Sequence, residues 1–246
     1  MAGGAFPAPP GAPPRRAPAE RPRLRARGPG SIALGVKASP PKRSRPAGGH
    51  SPPERFDEAY FERYYGDPKT RVQGPDEVAQ LARAVAALAA FWGLPLETAL
   101  DVGAGAGFWR EALRRERPGL RYRGVDISPT ACARYGHEPR DIGAWRADER
   151  FDLIICQGVL QYLDDRRAAQ ALENLSAMAE GLLYLEALTR QDVDEVVDLR
   201  RSDTAVNLRS GAWYRKRLAP HFVTLGCGLF YARRGEGVFF ELEAGP

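Results

Sequence analysis

Three glycines at alternate positions, Gly103, Gly105 and Gly107, are the residues of this chain best suited to binding a ligand. They follow a short apolar run, residues 98–102, that is typical of a buried strand, and a segment of helical character follows them. Glycine lets the backbone approach a ligand closely, and the start of a helix offers unpaired N–H groups to negative or polar atoms. The dinucleotide fingerprint needs a small residue at position 108, where this chain has Phe108. The spacing therefore argues against a nicotinamide or flavin cofactor.

Asp126 could hold the sugar of such a ligand. It lies nineteen residues beyond Gly107, close to the spacing at which a carboxylate meets a ribose in doubly wound folds. Its two oxygens can accept hydrogen bonds from adjacent hydroxyls, and Ile127 would then cover one face of an adenine. The alternative is that Asp126 caps a helix that begins at the turn Ile127-Ser128-Pro129.

Asp141 ends a short predicted strand over residues 137–142. At that place it could accept a hydrogen bond from the amino group of an adenine, although Asp141-Ile142-Gly143 is also an ordinary turn. The apolar stretch over residues 151–163 predicts an interior parallel strand followed by a polar or small break. A capped helix over residues 164–179 comes next.

These residues must be positioned by an alternation of strands and helices. Helices are predicted at 75–92, 107–117, 164–179 and 213–218, and parallel strands at 98–102, 122–126, 137–142, within 151–163 and at 181–187. Two more strands, 221–231 and 238–242, are predicted to form an antiparallel hairpin about residues 235–237. This order predicts an α/β fold with a doubly wound, mostly parallel sheet, helices on both faces and a C-terminal antiparallel hairpin.

Two segments outside this alternation could cover a ligand site. Five aromatic residues near helical spacing occur within residues 53–65, and they predict either a packing helix or a lid whose tyrosines face a cationic ligand. Residues 188–209 are rich in charge and either shape substrate access or form a solvated helix and loop. The aromatic residues are Phe56, Tyr60, Phe61, Tyr64 and Tyr65.

The first 52 residues are predicted to be a disordered, basic tail. Residues 1–50 hold eleven of the 21 prolines and few large apolar side chains, so they cannot offset the entropy of ordering. They carry ten Lys or Arg against Glu20 alone, a net of +9, which leaves −4 of the chain's +5 for the remainder. An acidic folded part makes nucleic-acid binding an unfavoured interpretation. Four roles stay open for the tail: a dispensable extension, a nuclear address at residues 41–46, a transit peptide, or an arm attracted to phosphates.

The compartment is indicated by cysteines and apolar runs. No apolar run approaches the roughly 20 residues of a membrane span, and no signal peptide opens the chain. Cys132, Cys156 and Cys227 are odd in number and widely spaced, which favours neither a disulfide framework nor a zinc site. We expect a cytoplasmic protein with no membrane partner and no bound metal.

Together, the motif Asp101–Gly107, the spaced acid Asp126 and the pattern over residues 151–163 resemble the class I S-adenosylmethionine-dependent methyltransferases of small-molecule type. The resemblance covers residues 54–242. It implies seven strands, with the last one antiparallel and inserted beside the fifth. It also implies a methyltransferase domain over residues 53–246 that begins with a helical cap, residues 53–93, and S-adenosylmethionine as the cofactor.

The resemblance further implies roles for individual residues. The methionine part of the cofactor would be admitted by Gly103, Ala104, Gly105 and Gly107, in a loop organised by Asp101. The ribose would be bound by Asp126, and the adenine would be contacted by Ile127, Asp141 and Ile142. The amino-acid end of the cofactor would meet the main chain of Cys156 and Gln157.

No catalytic base is evident. Family members have an acid or a histidine where this chain has Gln161, and a glutamine orients a substrate but does not take a proton. Tyr65, Gln161 and Tyr162 are candidates for lining the acceptor site, while His221 and Glu186 are candidate bases for which a structural role is the alternative. Methyl transfer from a sulfonium is an in-line displacement that depends mainly on alignment and dry surroundings.

The acceptor is expected to be a small molecule. No Asn-Pro-Pro-aromatic or Asp-Pro-Pro-aromatic motif follows the fourth strand, because Gln157-Gly158-Val159-Leu160 stands there. Two alternatives remain: a protein or RNA methyltransferase guided by the basic tail, and a protein that binds the cofactor without transferring its methyl group.

Overall fold

The computed structural model describes residues 51–245. Its helices are α1 (Glu58–Phe61), α2 (Pro75–Phe91), α3 (Phe108–Glu116), α4 (Pro129–Tyr135), α5 (Asp165–Met178), α6 (Arg190–Glu195) and α7 (Gly211–Leu218). Its strands are β1 (Thr98–Val102), β2 (Arg121–Asp126), β3 (Glu138–Pro139), β4 (Phe151–Gln157), β5 (Ala179–Glu186), β6 (Phe222–Gly226) and β7 (Leu229–Ala232). Short 3₁₀ turns occur at Pro53–Arg55 and Leu160–Tyr162, and Glu62–Gly66 is a π-helical turn.

The seven strands form one sheet in the order β3-β2-β1-β4-β5-β7-β6. Strands β1 to β5 are parallel, β7 runs antiparallel between β5 and β6, and the doubly wound class I methyltransferase fold is therefore confirmed. The chain builds β1, β2 and β3 outward on one side and then returns to place β4 on the other side of β1. This reversal opens a crevice at the carboxyl ends of β1 and β4, which is where ligands bind in open α/β sheets.

Apolar side chains fill both faces of the sheet. Along β4, Ile154 and Cys156 face a cluster formed with α5 and α7, while Leu153 and Ile155 face a second cluster formed with α2 and α3. All four side chains are fully buried. Burial on both faces explains why this interior strand is a continuous apolar run instead of an alternating one.

The third strand is shorter than its sequence predicts. Only Glu138–Pro139 pairs with β2, whereas the prediction covered residues 137–142. Proline has no N–H to donate, and Asp141 Oδ1 accepts the N–H of Gly143 at 2.9 Å, which turns the chain away from the sheet.

The C-terminal hairpin exists, but its predicted position was wrong. The reversal lies at Cys227-Gly228 between β6 and β7, and residues 238–242 form no strand. Gly226, Cys227 and Gly228 have positive φ values of 88°, 52° and 78°, which close the turn. Two of the three residues are glycines, which adopt positive φ values without steric cost. Phe239 instead packs against Trp92, with ring centroids 5.2 Å apart.

The predicted helical cap, residues 53–93, is a series of short turns followed by α2. The predicted tail, residues 1–52, lies outside the described residues except for its last two, so its order and its boundary stay predictions. None of the helices within residues 51–245 is long and apolar enough to span a membrane.

Candidate functional site

A cleft opens at the carboxyl ends of β1, β2 and β4, under the segment 51–66. The empty space within it, including the part open to solvent, is about 650 Å³. The sheet side of the lining comprises Gly103, Gly105, Asp126, Ile127, Ile142 and Gln157. The structure therefore brings together most of the residues that the sequence nominated for the cofactor.

The glycine loop has a backbone that other residues would strain. Gly103, Gly105 and Gly107 have φ values of 68°, 53° and 74°. The N–H groups of Gly103 and Ala104 both donate to the carbonyl of Val125, at 2.8 and 3.1 Å, which fixes the loop over β2. Ala104 is buried and does not line the cleft, and Gly107 caps α3.

Asp126 connects β2 to this loop. Its Oδ2 accepts the N–H of Gly105 and its Oδ1 accepts the N–H of Ser128, both at 2.8 Å. Burial raises the pKa of the carboxyl, and the two backbone hydrogen bonds oppose that rise. Ser128, whose Oγ accepts the N–H of Ala131, caps α4, so the alternative role predicted for Asp126 belongs to its neighbour. Each Asp126 oxygen keeps a lone pair for a ligand.

Asp101 lies beneath the loop and not in the cleft. Its Oδ2 accepts a 2.5 Å hydrogen bond from the hydroxyl of Tyr122 on β2. Burial raises the pKa of Asp101 to about 7, although the Tyr122 hydrogen bond opposes this. The residue therefore supports the strand under the loop, and no hydrogen bond joins it to a loop amide.

The predicted adenine contacts are at the cleft, with one of them engaged elsewhere. Ile127 and Ile142 line it and offer apolar surface. Asp141 also lines it, but its carboxylate accepts the Gly143 N–H and forms an ion pair with Arg167 on α5. An adenine amino group would have to donate to the Asp141 carboxylate, which already accepts from Gly143 and Arg167.

The end of β4 presents one of its two nominated residues. Gln157 lines the cleft, and its side chain accepts from Trp109 Nε1 at 2.8 Å and donates to Gln73 at 2.8 Å and to Glu186 at 3.1 Å. Cys156 points into the core, where burial raises the pKa of its thiol.

An aromatic cap, defined as Phe56, Tyr60, Phe61, Tyr65 and Tyr162, forms the other wall of the cleft. Four of these residues belong to the segment 53–65, which therefore both covers the cleft and packs as a buried cluster around Phe56 and Phe61. The hydroxyls of Tyr60 and Tyr162 are 2.7 Å apart, and Phe56 packs edge-on against both rings at about 5 Å.

An ion pair connects the cap to the insertion that follows β5. The guanidinium of Arg55 donates to both oxygens of Asp203, at 2.7 and 2.6 Å, and to the carbonyl of Ala205 at 2.8 Å. The same guanidinium lies 5.3 Å from the centre of the Tyr162 ring. The charged insertion therefore contributes to closing the site.

Two of the three candidates for lining the acceptor site are among the lining residues of the cleft, and Gln161 is not. Tyr65 and Tyr162 line the cleft, and no hydrogen bond joins the Tyr65 hydroxyl to any of residues 51–245. Gln161 is 8% exposed, and its Oε1 has no partner in the described part of the chain. Burial raises the pKa values of Tyr65 and Tyr162, so both hydroxyls stay protonated.

The two candidate bases lie at different places, and neither is among the lining residues of the cleft. His221 precedes β6, which runs parallel to β4 and β5, so it lies at the opposite edge of the sheet, 3.4 Å from Glu173. Glu186, at the carboxyl end of β5, accepts hydrogen bonds from Tyr184 and from the lining residue Gln157, so it lies directly behind the cleft wall. The structural alternative fits both residues.

Sequence reasoning missed two buried side chains that support the site. Arg209 donates to the carbonyls of Leu160 and Leu163, at 2.9 and 2.5 Å, and holds the turn after β4. His137 contacts the glycine loop. Neither has a sequence signal, because each meets its partner only through the folded sheet.

Among the described residues, no group of three or more His, Cys, Asp or Glu could hold a metal ion.

Comparison with known proteins identifies a domain and a fold. Residues 100–180 match the family model described as a methyltransferase domain. No curated protein matches the chain.

Solved structures share the fold at low identity. The plantazolicin methyltransferase BpumL, in complex with a pentazolic desmethylPZN analog and SAH, is 14% identical over 68% of each chain, with a TM-score of 0.51. DesVI of Streptomyces venezuelae is 15% identical over 63% of this chain and 91% of its own, with a TM-score of 0.50. This chain spans 59% of the length of an O-methyltransferase family protein from Burkholderia thailandensis, at 15% identity over 67% of this chain and a TM-score of 0.48.

Proposed function

We propose that this protein is an S-adenosylmethionine-dependent methyltransferase that acts on a small-molecule acceptor. One observation carries the proposal: the glycine loop and the buried Asp126 meet at the point where the sheet reverses, under an aromatic cap. The methyltransferase domain match over residues 100–180 and the SAH-containing structure of BpumL support the same cofactor.

The residues of the cleft fit this cofactor. A Cβ at Gly105 would lie 3.7 Å from the carbonyl of Gly103 and 3.8 Å from the ring of Phe61, so it would fill the gap between loop and cap. The spare lone pairs of Asp126 suit the two hydroxyls of a ribose, and the side chains of Ile127 and Ile142 suit a flat base.

The chain's own residues align the reactants and exclude water. The cofactor supplies a methyl group activated by a positive sulfonium. Aromatic faces attract such a cation, and the five aromatic side chains of the cap line the cleft. Alignment in dry surroundings contributes roughly 7–11 kcal/mol to a displacement of this kind. Because the hydroxyls of Tyr65 and Tyr162 stay protonated, they donate hydrogen bonds to the acceptor and do not remove its proton.

A small acceptor is favoured by the covered cleft. The cap and the insertion meet through Arg55 and Asp203 above it, which restricts the approach of a folded macromolecule. We extend the proposal to a reducing compartment such as the cytoplasm, because all three cysteines are free within the described residues.

Calorimetric titration of S-adenosylhomocysteine tests the cofactor, with wild type compared with Asp126→Ala. We expect the variant to bind at least tenfold more weakly, equivalent to about 1.4 kcal/mol. His221→Ala is the matched control, since His221 lies at the other edge of the sheet and its loss should leave binding unchanged. Absence of binding to well-folded wild-type protein would contradict the proposal.

Transfer of a radiolabelled methyl group from S-adenosylmethionine then tests the reaction. Incubation with fractionated small metabolites should label a small product, whereas labelling only in protein or RNA fractions would replace the proposed acceptor. Cofactor binding without any labelled product would leave the non-catalytic alternative.

A further inference from the structure

The side chain of His137 lies between the glycine loop and α3. It is 5% exposed, its Nε2 is 3.1 Å from the carbonyl oxygen of Gly105, and its Nδ1 is 3.0 Å from Nη2 of Arg110. Nothing in the roles assigned to the cofactor site so far uses this imidazole.

The partners of His137 determine which nitrogen carries the proton. A guanidinium donates hydrogen bonds and accepts none, so Nδ1 must be the acceptor from Arg110. The ring proton therefore lies on Nε2 and is donated to the carbonyl of Gly105. Arg110 is held in place by the carbonyl of Tyr135, at 2.7 Å, and by the ring of Tyr122, whose centre is 5.4 Å away.

Gly105 is consequently held at both of its polar atoms. Its N–H donates to Asp126 at the end of β2, and its carbonyl accepts from His137, which precedes β3. Two different elements therefore fix the same loop residue. Gly124 provides the space, because a Cβ there would lie 2.6 Å from Nδ1 of His137.

We propose that neutral His137 is a positioning residue that holds the Gly105 carbonyl and keeps the glycine loop in its cofactor-binding shape, and that a second ring proton, on Nδ1, displaces the imidazole from Arg110 and thereby loosens the loop. This inference rests on the proposed function, because the cofactor is the ligand that the loop would hold. His137 contacts the loop and not the cleft, so it acts through Gly105.

Charges around the ring set the direction of the pH effect. A proton on Nδ1 would remove the acceptor that Arg110 uses and set two cations against each other, so the ring is pushed away from Arg110 although its Nε2 proton can still be donated to Gly105. Asp126 on β2 favours the protonated ring, while burial raises the pKa of Tyr122 and keeps its hydroxyl neutral. Burial lowers the pKa of His137 below its usual 6.5, helped by Arg110 and opposed by the Gly105 hydrogen bond and Asp126. The loop should thus be held at neutral pH and loosen in acid.

Two substitutions separate the hydrogen bonds from the titration. His137→Gln keeps an N–H for Gly105 and an oxygen for Arg110 but does not titrate, whereas His137→Phe removes both polar atoms. We expect S-adenosylhomocysteine to bind wild type more weakly at pH 5.0 than at pH 7.5, the Gln variant to lose less affinity than wild type over the same interval, and the Phe variant to bind weakly at both. Asp101 also titrates in this range, but all three proteins share it.

Hydrogen exchange of ligand-free protein provides a readout independent of the cofactor. Protection of residues 103–107 should fall at least tenfold in His137→Phe at pH 7.5, and in wild type at pH 5.0 after correction for intrinsic exchange. Equal protection and equal binding in wild type and the Phe variant would overturn the inference, as would a Gln variant with the same pH dependence as wild type. If wild type binds no S-adenosylhomocysteine, the proposed function fails, and a loop that still loosens as predicted would retain the positioning role alone.

Discussion

At the scale of single residues, Gly103 is the position where the loop tolerates least change. Its φ of 68° is costly for any other residue, and a Cβ would lie 2.3 Å from Cγ2 of Val159. We expect Gly103→Ala to lower the free energy of unfolding by about 2–4 kcal/mol, combining left-handed strain with overpacking. Urea denaturation measures this. Gly119→Ala is the control, because nothing lies within 4 Å of its Cβ, and a similar loss there would contradict the explanation.

Asp101 should make stability depend on pH. Its pKa is about 7 in the folded protein against 3.8 for the free group, so its stabilising contribution is complete below about pH 4 and is lost as pH rises through 7. Three pKa units correspond to about 4 kcal/mol as an upper bound. Asp101→Asn keeps an oxygen for the Tyr122 hydroxyl but does not titrate.

Urea denaturation between pH 4 and pH 8 should therefore give a flatter profile for Asp101→Asn than for wild type. Asp148→Asn, at the exposed end of the loop before β4, is the control and should leave the profile unchanged. Parallel profiles for wild type and Asp101→Asn would show that the carboxyl titrates near its ordinary value.

At the scale of elements, the cap and the insertion after β5 should move as one unit. Arg55 and Asp203 join them through two charge-assisted hydrogen bonds, and the Asp203 side chain is only 9% exposed. We expect Arg55→Met to increase hydrogen exchange at least tenfold in residues 53–66 and 200–207, with no change in β4. The acceptor KM should rise more than kcat falls, because the wall of the cleft becomes mobile.

Arg83→Met is the matched control for this prediction. Arg83 pairs with Glu116 at 3.0 Å on the exposed surface of α2, and such pairs contribute little. If Arg55→Met exchanges no faster than Arg83→Met, the ion pair does not hold the cap.

The predicted elements show which physical signals are local. The predicted positions of strands β1, β2 and β4 agree closely with the structure, because their apolar runs end at glycine or acidic residues. The predicted position of α5 agrees because Asp164 caps this helix. The hairpin was misplaced because Gly235-Glu236-Gly237 resembles a turn as well as Gly226-Cys227-Gly228 does. Pairing of β7 with β5, which decides between them, is a contact between residues about 47 positions apart, such as Leu183 and Phe230.

At the scale of the whole molecule, the site is only partly encoded in motifs. Gly103, Gly105 and Asp126 were found because their spacing has a chemical meaning. His137, Arg209 and the pair Arg55–Asp203 were not, because they support the cleft across distances of 32 to 148 residues in sequence. His221 was nominated by residue type, and the direction of β6 places it at the far edge.

The charge distribution leads to the last prediction, which concerns the tail. Residues 1–50 carry a net of +9 and the remainder −4, so removing them reverses the sign of the chain. Deletion of residues 1–50 leaves Ser51, whose N–H donates to the carbonyl of Tyr162 at the cleft. We therefore expect turnover of a small acceptor to change by less than about twofold, since the lining of the cleft remains complete.

A tail that guides the enzyme to a polyanion would behave differently. Its attraction would depend on counterion release, so turnover on RNA should fall steeply between 50 and 200 mM salt in the full chain and be lost after deletion. Measuring initial rates for both proteins at both salt concentrations distinguishes the cases. Loss of turnover after the deletion, together with a steep salt dependence before it, would mean that the acceptor is recognised by the tail and not by the cleft.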